Sequence, residues 1–491
     1  MTEPQPSLDP ALDTTAPAAT GLAPGAEPPP PTVWAAVKEA VRGAHRHDYT
    51  EGPIGRALLL LAVPMVLEVA LESVFAVVNV FWVGRLGAAA VATVGLTEAM
   101  FSTIYALGMG LGIGATAMVA RRIGEKNPDG AARAAVQAIA LGVLVAIPIA
   151  LLGGIFAPGL LRLMGAAPEV VATGHGFTRV MFSGNIVILL LFLINAIFRG
   201  AGDAAIAMRS LWIANICNLI LDPLLIFGLG PFPKLGVMGA AFATTIGRGM
   251  GVVYQFHRLA AAGKRFTIQR EHLRLEPGIQ RTLLRLSGTG IFQILIGTTS
   301  WVGLVRVIST FGSQALAGYT VGMRIIIFAI LPSWGMANAA ATMVGQALGA
   351  KKPERAEESV WRAAFYNLCF LGAVGVLFLI FAPGMIALFT RDPVVAGYGV
   401  ECLRIVSAGF LFYAYGMVLT SSFNGAGDTW TPTFLNLFCF WLWEIPLAWV
   451  LAKRVGLGPR GAFVAITVAF STLAVASAVL FRRGRWKTRR V

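Results

Sequence analysis

The fold class this sequence predicts is an all-α integral membrane protein: twelve transmembrane helices in two parallel-related six-helix lobes around a central cavity. Three observations lead to it. Hydrophobic residues fill 56% of the 491 positions and charged residues only 13%, a balance that suits several membrane spans and no water-soluble core. Twelve apolar runs follow one another, at 55–84, 93–120, 132–157, 170–199, 208–229, 237–261, 282–310, 315–348, 359–383, 396–424, 432–452 and 460–481. Most exceed the ~20 residues a bilayer requires, so tilts or kinks are expected. The third observation is an internal repeat that divides the runs into two sets of six.

Three landmarks carry the repeat. Gly87-Ala-Ala-Ala-Val-Ala92 is matched by Gly312-Ser-Gln-Ala-Leu-Ala317, and Ile123-Gly124-Glu-Lys-Asn-Pro128 by Leu348-Gly349-Ala-Lys-Lys-Pro353. Phe198-Arg-Gly-Ala-Gly-Asp203 is matched by Phe423-Asn-Gly-Ala-Gly-Asp428, and all three share an offset of 225. A single offset across separate landmarks marks a duplicated unit. Six spans separate equivalent points, so both halves keep one orientation in the membrane, as in transporters that rock about a central cavity.

Taken in order, residues 1–50 form a cytoplasmic tail, rich in Pro, Ala and Thr and disordered at first. A short basic amphipathic helix from Val33 to about Arg46 ends it, either lying on the membrane surface or solvated as a linker. Residues 51–265 are the N-lobe, 266–285 a basic inter-lobe linker, 286–482 the C-lobe and 483–491 a basic tail. The first thirty residues show no signal-peptide pattern. Both Gly-Ala-Gly-Asp stretches close a span in a tight turn, and Asp203 and Asp428 are placed to cap the next helix.

The net charge of +15 follows topology and requires no nucleic acid. About 27 Lys and Arg fall on one side of the twelve runs and about 9 on the other, which makes the crowded side cytoplasmic. The even number of spans puts both termini there, in a multi-pass protein of the cell inner (plasma) membrane. The basic loop from Arg258 to Arg285 and the tail from Arg482 to Arg490 then face anionic lipid headgroups. Cys217, Cys369, Cys402 and Cys439 are scattered without metal spacing and read as apolar fillers. His45, His47, His175, His257 and His272 fall in loops, tails or toward the ends of the apolar runs. No metal site, resident cofactor or catalytic constellation emerges, and an enzyme is disfavoured.

Polar residues inside spans carry the functional signal. Asp222 stands in the apolar run 208–229 with Asn218 one turn before it and Pro223 directly after it. An ionised acid at bilayer depth costs about 3 kcal/mol or more unless paired or protonated, and such acids default to ion or proton sites. The alternative is a neutral carboxyl kept for packing. In the first span Glu68, Glu72 and Asn79 share one helix face beyond Pro64. The two glutamates are either a proton path or a packed polar stripe, and their proximity predicts mutual repulsion. Arg248, Arg306 and Arg324 also fall in spans, able to pair with an acid or to snorkel. Glu444 lies among Trp441, Trp443 and Trp449, where an acid beside aromatics holds an organic cation or simply belongs to an interfacial tryptophan belt.

The run PMVLEVALESVFAVVNVFWVGRLG, the FRGAGD turn, NLILDPLLIFG, GVMGAAFATTI and the LGAKKPERA loop resemble multidrug and toxic compound extrusion (MATE) transporters, nearest to their DinF-like branch. The resemblance covers about residues 50 to 485. It implies export of organic, mostly cationic drugs or toxic compounds in exchange for H⁺ or Na⁺, by a protein expected to be a monomer. Asn218 and Asp222 match the polar pair of the family's N-lobe cation site, where Na⁺ binding would be transient, and Thr244 or Thr245 matches a nearby hydroxyl. Pro64 matches a proline at which the first helix of some relatives bends. Asn79 departs from the family's usual aspartate, which leaves Asp222 the sole acid of that pair, with Glu68 and Glu72 as candidates to compensate. The alternative implied function is export or flipping of a lipid-linked or polar metabolite.

Overall fold

In the computed structural model the chain is described over residues 33–43, 47–261, 265–489 and 491. The expectation for residues 1–32, and His45, lie outside the described residues. The short helix α1 (Val33–Arg42) is packed against the first and fifth spans. Its last carbonyls, Val41 and Arg42, accept from Arg209, and Glu39 pairs with Arg56 at 2.8 Å. It caps the helix bundle as part of the N-lobe.

The N-lobe comprises α2 (Ile54–Gly84), α3 (Ala88–Gly124), α4 (Pro128–Leu163), α5 (Pro168–Ser183), α6 (Asn185–Ala201), α7 (Ala204–Phe227) and α8 (Val237–Ala260). The C-lobe comprises α9 (Pro277–Ser309), α10 (Ser313–Gly349), α11 (Pro353–Ala387), α12 (Pro393–Ala408), α13 (Phe410–Gly425), α14 (Trp430–Asn436), α15 (Ile445–Trp449) and α16 (Pro459–Arg482). Counting α5–α6, α12–α13 and α14–α15 as single spans gives the expected twelve. α9 starts at Pro277, ahead of the apolar run and inside the expected linker, because proline suits a first helical turn. α8 is less apolar than the other spans because it carries Arg248, Gln255 and several glycines. It is shielded by α5, α6 and α7.

Two expected spans are not continuous. The run 170–199 bends by 42° at Gly184 and the run 396–424 by 58° at Gly409, positions again related by 225. A side chain at Gly184 would meet Thr245, and one at Gly409 would meet Thr467. Close helix approach at a small residue therefore sets each bend. The repeat reappears in other backbone angles. Lys126 and Lys351 share positive φ, 56° and 58°, and Gly202 and Gly427 have φ of 86° and 82°. Pro128 and Pro353 each open a helix. The two lobes share one chain path.

Asp203 occupies the N-cap position of α7 without a side-chain bond to the helix. It faces Arg265 at 3.6 Å, as its repeat mate Asp428 faces Arg489 at 3.3 Å. Each buried carboxylate thus has an arginine partner, and Asp428, one residue ahead of the N-cap Thr429, also accepts from the Thr431 hydroxyl of the first turn of α14 at 2.7 Å.

The lobes meet at the end of the bundle that carries α1 and the C-terminal residues Arg485–Arg489, called here the terminal face. Gly124 of α3 crosses Gln346 of α10 so closely that a side chain would overlap its backbone, and Gly349 meets Arg121 in the same way. Gln346 and Thr342 donate to the carbonyls of Gly200 and Arg199. Arg121 donates to Ala426 and Arg489. Arg355 of α11 grips the carbonyls of Tyr49, Glu51 and Gly52 at 3.1, 2.7 and 2.8 Å. The C-terminal tail is docked, with Trp486 1% exposed and stacked on Phe481. The tightest inter-lobe approaches end at Gly110 against Ile291 and at Gly335 against Met65 and Val66. These lie 11–14 residues, about 21 Å at most, from the helix ends. Beyond them Val74, Phe81, Phe292 and Phe328 are exposed.

Candidate functional site

Asp222 sits on the inner face of α7, 1% exposed, and neither carboxylate oxygen has a hydrogen-bond partner. Asn218, one turn earlier, is equally buried. Its amide donates to Thr244 Oγ1 of α8 at 2.9 Å, while its own Oδ1 is unpartnered. α7 and α8 lie close enough for this bond because Gly247 and Gly251 of α8 press against Ala214, Asn218 and Ser210. Three buried acceptor oxygens therefore gather with no donor supplied by the protein. A carboxylate left so is strongly destabilised; a bound proton or other cation is what the arrangement lacks.

Of the two threonines, Thr244 reaches Asn218. Thr245 bonds to the carbonyl of Ala241 in its own helix and fits against the Gly184 bend. Asn79 is half-buried on α2, seven residues beyond Glu72. Asp222 is likewise seven beyond Asn215, which bonds Glu72 at 2.9 Å. By helical rise both lie about 10 Å farther from the terminal face, so Asn79 stands near the level of Asp222. No hydrogen bond joins them among the described residues. α2 passes through Pro64 as one helix, and the backbone there is where Gly335 of α10 packs.

Glu68 and Glu72 each have their own arginine. Glu68, 4% exposed, accepts from Arg199 at 2.7 Å and from Asn195 at 3.1 Å. Glu72 accepts from Arg248 at 3.0 Å and from Asn215 at 2.9 Å. The expected repulsion between the acids is thereby offset, pair by pair. Asn195 Oδ1 in turn accepts from Ser210 and Gln255, both at 2.7 Å. Arg248 keeps Nε and Nη1 unpartnered and lies over the Phe192 ring at 5.4 Å. Polar groups thus run along the N-lobe from Arg199–Glu68, through Asn215–Glu72–Arg248, to Asn218–Thr244 and Asp222. Asn195, Arg199, Ser210 and Gln255 had not been singled out from sequence. Their signal was isolated polarity on otherwise apolar helix faces.

The structure does not bring Glu444 and Trp441 together. Trp441, 44% exposed, donates to the Ile296 carbonyl of α9 at 3.2 Å. Glu444, by contrast, is 5% exposed. Trp443 and Trp449 are also exposed. The acid is buried while the tryptophans adjacent to it in sequence lie at the surface. Arg306 and Arg324 are exposed.

The family model MatE matches residues 64–224 and 291–450. Among curated relatives, the probable multidrug resistance protein YoeA of Bacillus subtilis (strain 168) is 26% identical, the match covering 85% of this chain and 91% of that protein. The FAD transporter of Shewanella oneidensis is 24% identical over 89% of this chain and 96% of its own length. A solved structure described as the outward-facing conformation of a multidrug resistance MATE family transporter of the MOP superfamily superposes with a TM-score of 0.83 at 27% identity. It covers 89% of this chain and 97% of that one.

Proposed function

Since the chain belongs to the MatE family, whose members are multi-pass membrane transporters and not enzymes, we propose that it is a secondary exporter of organic, mostly cationic compounds, driven by H⁺ or Na⁺ bound at Asp222. The observation that carries this reading is the buried acceptor cluster of Asp222 and Asn218, which offers oxygens to a cation and nothing to an anion. The names of relatives such as YoeA support efflux of drugs. No resident cofactor is needed. The basic terminal face is assigned to the cytoplasm by its excess of Lys and Arg, in a plasma membrane whose anionic lipids meet its basic loops, with both termini inside and the protein acting as a monomer. The close packing of the terminal face then corresponds to a state shut toward the cytoplasm.

In this reading a cation enters from the outer cleft and neutralises Asp222. Loss of the unpaired charge permits α2, α7 and α8 to repack along their shared polar track, and the cavity between lobes loses affinity for its cargo. An ion shifts the two states only by its differential affinity for them. Asp222→Asn therefore abolishes ion-driven efflux of ethidium from proteoliposomes loaded under separately imposed pH and Na⁺ gradients. The gradient that drives the unaltered protein identifies the ion. Undiminished efflux by a normally folded Asp222→Asn protein would falsify the site.

A second reading, export of a polar or anionic metabolite, is favoured by one observation. Arg248 holds two unpartnered N–H groups beside the site, and a relative is named an FAD transporter. Flavin uptake into inverted vesicles that Arg248→Gln eliminates, with ethidium untouched, would select it.

A further inference from the structure

The first span of each lobe is entered through a stretch of irregular backbone, and each stretch is fastened to the opposite lobe. A chain outside helices leaves its carbonyl and amide groups to be satisfied by side chains or water. Ahead of α2, four successive carbonyls are met by two cations at the start of α11. Arg355 donates from Nε to Tyr49, from Nη2 to Glu51 and from Nη1 to Gly52, while Lys352 Nζ donates to Thr50 at 3.0 Å. The planar guanidinium holds its donors in a fixed fork, so one residue grips three carbonyls. On its other side the same stretch is bonded within the N-lobe. Tyr49 donates its hydroxyl to the Gly202 carbonyl at 3.2 Å, and Arg265 donates to the His47 carbonyl.

The other lobe repeats the plan with different chemistry. α4, the repeat mate of α11, carries Arg133 and Gln137 one turn apart on one face. Gln137, 0% exposed, donates to the Arg274 carbonyl at 2.7 Å in the stretch ahead of α9. Its Oε1 accepts from the Glu276 backbone N–H at 3.2 Å and from the Gln280 amide of α9 at 2.9 Å. Arg133 faces Glu276 at 3.7 Å. By the offset of 225, the positions equivalent to Arg355 and Gln137 are Gly130 and Arg362. The two halves therefore reach one crossed arrangement through unrelated residues: the C-lobe holds the entry to α2, and the N-lobe holds the entry to α9.

We propose that Arg355, together with Lys352, and Gln137 are positioning residues of the transport cycle: two crossed straps that hold the terminal face shut and release when the lobes rock to open it. They touch neither cargo nor coupling ion. The stretch ahead of α2 runs straight into that helix and is bonded within the N-lobe, so the end that lets go is the one at Arg355. On release the carbonyls and cations exchange their partners for water. The closed state is then favoured only by the net worth of these bonds, a margin that a ligand with unequal affinity for the two states can reverse. The proposal rests on the chain being a transporter whose lobes rock, and not on Asp222 as the ion site.

The test is alkylation of a thiol placed between the lobes of the purified full-length protein. Thr342, 0% exposed, lies on the terminal side of the Gly335 crossing and donates to the Arg199 carbonyl of the other lobe. In Thr342→Cys the thiol meets water only when the terminal face opens. Its labelling rate tracks the open population while opening and closing outpace the reagent. Cys217→Ala and Cys369→Ala remove the two cysteines that are not buried, and Cys402 and Cys439 stay as reporters of unfolding. Labelling by a water-soluble maleimide is read residue by residue by mass spectrometry. Arg355→Gln is expected to raise the rate at position 342 about tenfold, roughly one charge-assisted hydrogen bond net of water. Arg355→Lys, which keeps the charge and one donor, and Gln137→Met are each expected to raise it about threefold. Tyr49→Phe, whose bond lies within the N-lobe, leaves it unchanged, and Cys402 and Cys439 stay slow throughout. An unchanged rate in Arg355→Gln or in Gln137→Met overturns the proposal. So does a rise matched at Cys402 and Cys439, which marks loss of fold, or a rise in Tyr49→Phe as large as in Arg355→Gln. If Arg355→Gln does not fold, an unchanged rate in Arg355→Lys overturns it. Failure of the ion site would appear separately, as undiminished efflux in Asp222→Asn with these rates as expected.

Discussion

The two lobes share a chain path and differ in what fills it. The N-lobe interior is threaded by Glu68, Glu72, Asn195, Arg199, Asn215, Asn218, Asp222, Arg248 and Gln255, tied helix to helix by charge-assisted hydrogen bonds. The C-lobe interior at the same depth is aromatic, built from Tyr319, Phe410, Tyr413, Phe463 and Phe470, with one acid. Backbone plan and interior chemistry are therefore separable. A duplicated fold fixes where helices bend and cross, and the side chains at a few inner positions decide which half handles charge. In the N-lobe, stability depends on complete pairing; in the C-lobe it depends on filled volume.

That contrast can be broken most strongly at Glu72. Glu72→Ala strands Arg248, whose side chain is 5% exposed, and loss of one member of a buried pair costs about 3–5 kcal/mol. Thermal unfolding in detergent should show a large drop in Tm, recovered in Glu72→Ala/Arg248→Met. A double variant no better than the single would show that the charge was not the cause. In the C-lobe, Phe463→Ala opens a void against Tyr319 and should cost about 3–4 kcal/mol. Here the loss is insensitive to salt and pH, and a strongly pH-dependent loss would contradict an apolar interior.

A smaller effect sharpens the comparison within one helix. Thr244→Val removes the hydroxyl that orients Asn218, about 1 kcal/mol, and should alter the ion dependence of ethidium efflux. Thr245→Val, against the Gly184 bend, should leave ion dependence unchanged. The reverse pattern would assign the site to the wrong threonine.

The smallest effect lies outside the membrane. Burial, and then the nearby Arg56, holds the His47 imidazole below its usual 6.5. The folded state thus binds the proton less well than the unfolded chain. Stability from this group is present above pH 6.5 and is lost as pH falls from 6.5 through the lowered folded value. His47→Asn should flatten that acid limb slightly, and an unchanged limb would remove His47 from the account. Nearby, burial pushes the Tyr49 hydroxyl up to about 12, so it stays a neutral donor to Gly202 across the same range.

Sequence alone determined the twelve spans, the duplication and the prominence of Asp222 and Asn218. Each follows from local chemistry: apolar length, a constant offset, and a charge isolated among hydrocarbon side chains. Tertiary structure decided the rest. It chose Thr244 over Thr245, gave Glu68 and Glu72 arginines more than a hundred residues away, bent two spans at Gly184 and Gly409, and buried Glu444 while leaving its neighbouring tryptophans exposed. The physical reason is that a buried polar atom is satisfied by whatever packs against it. That partner is set by helix crossings between remote segments, which no local pattern records.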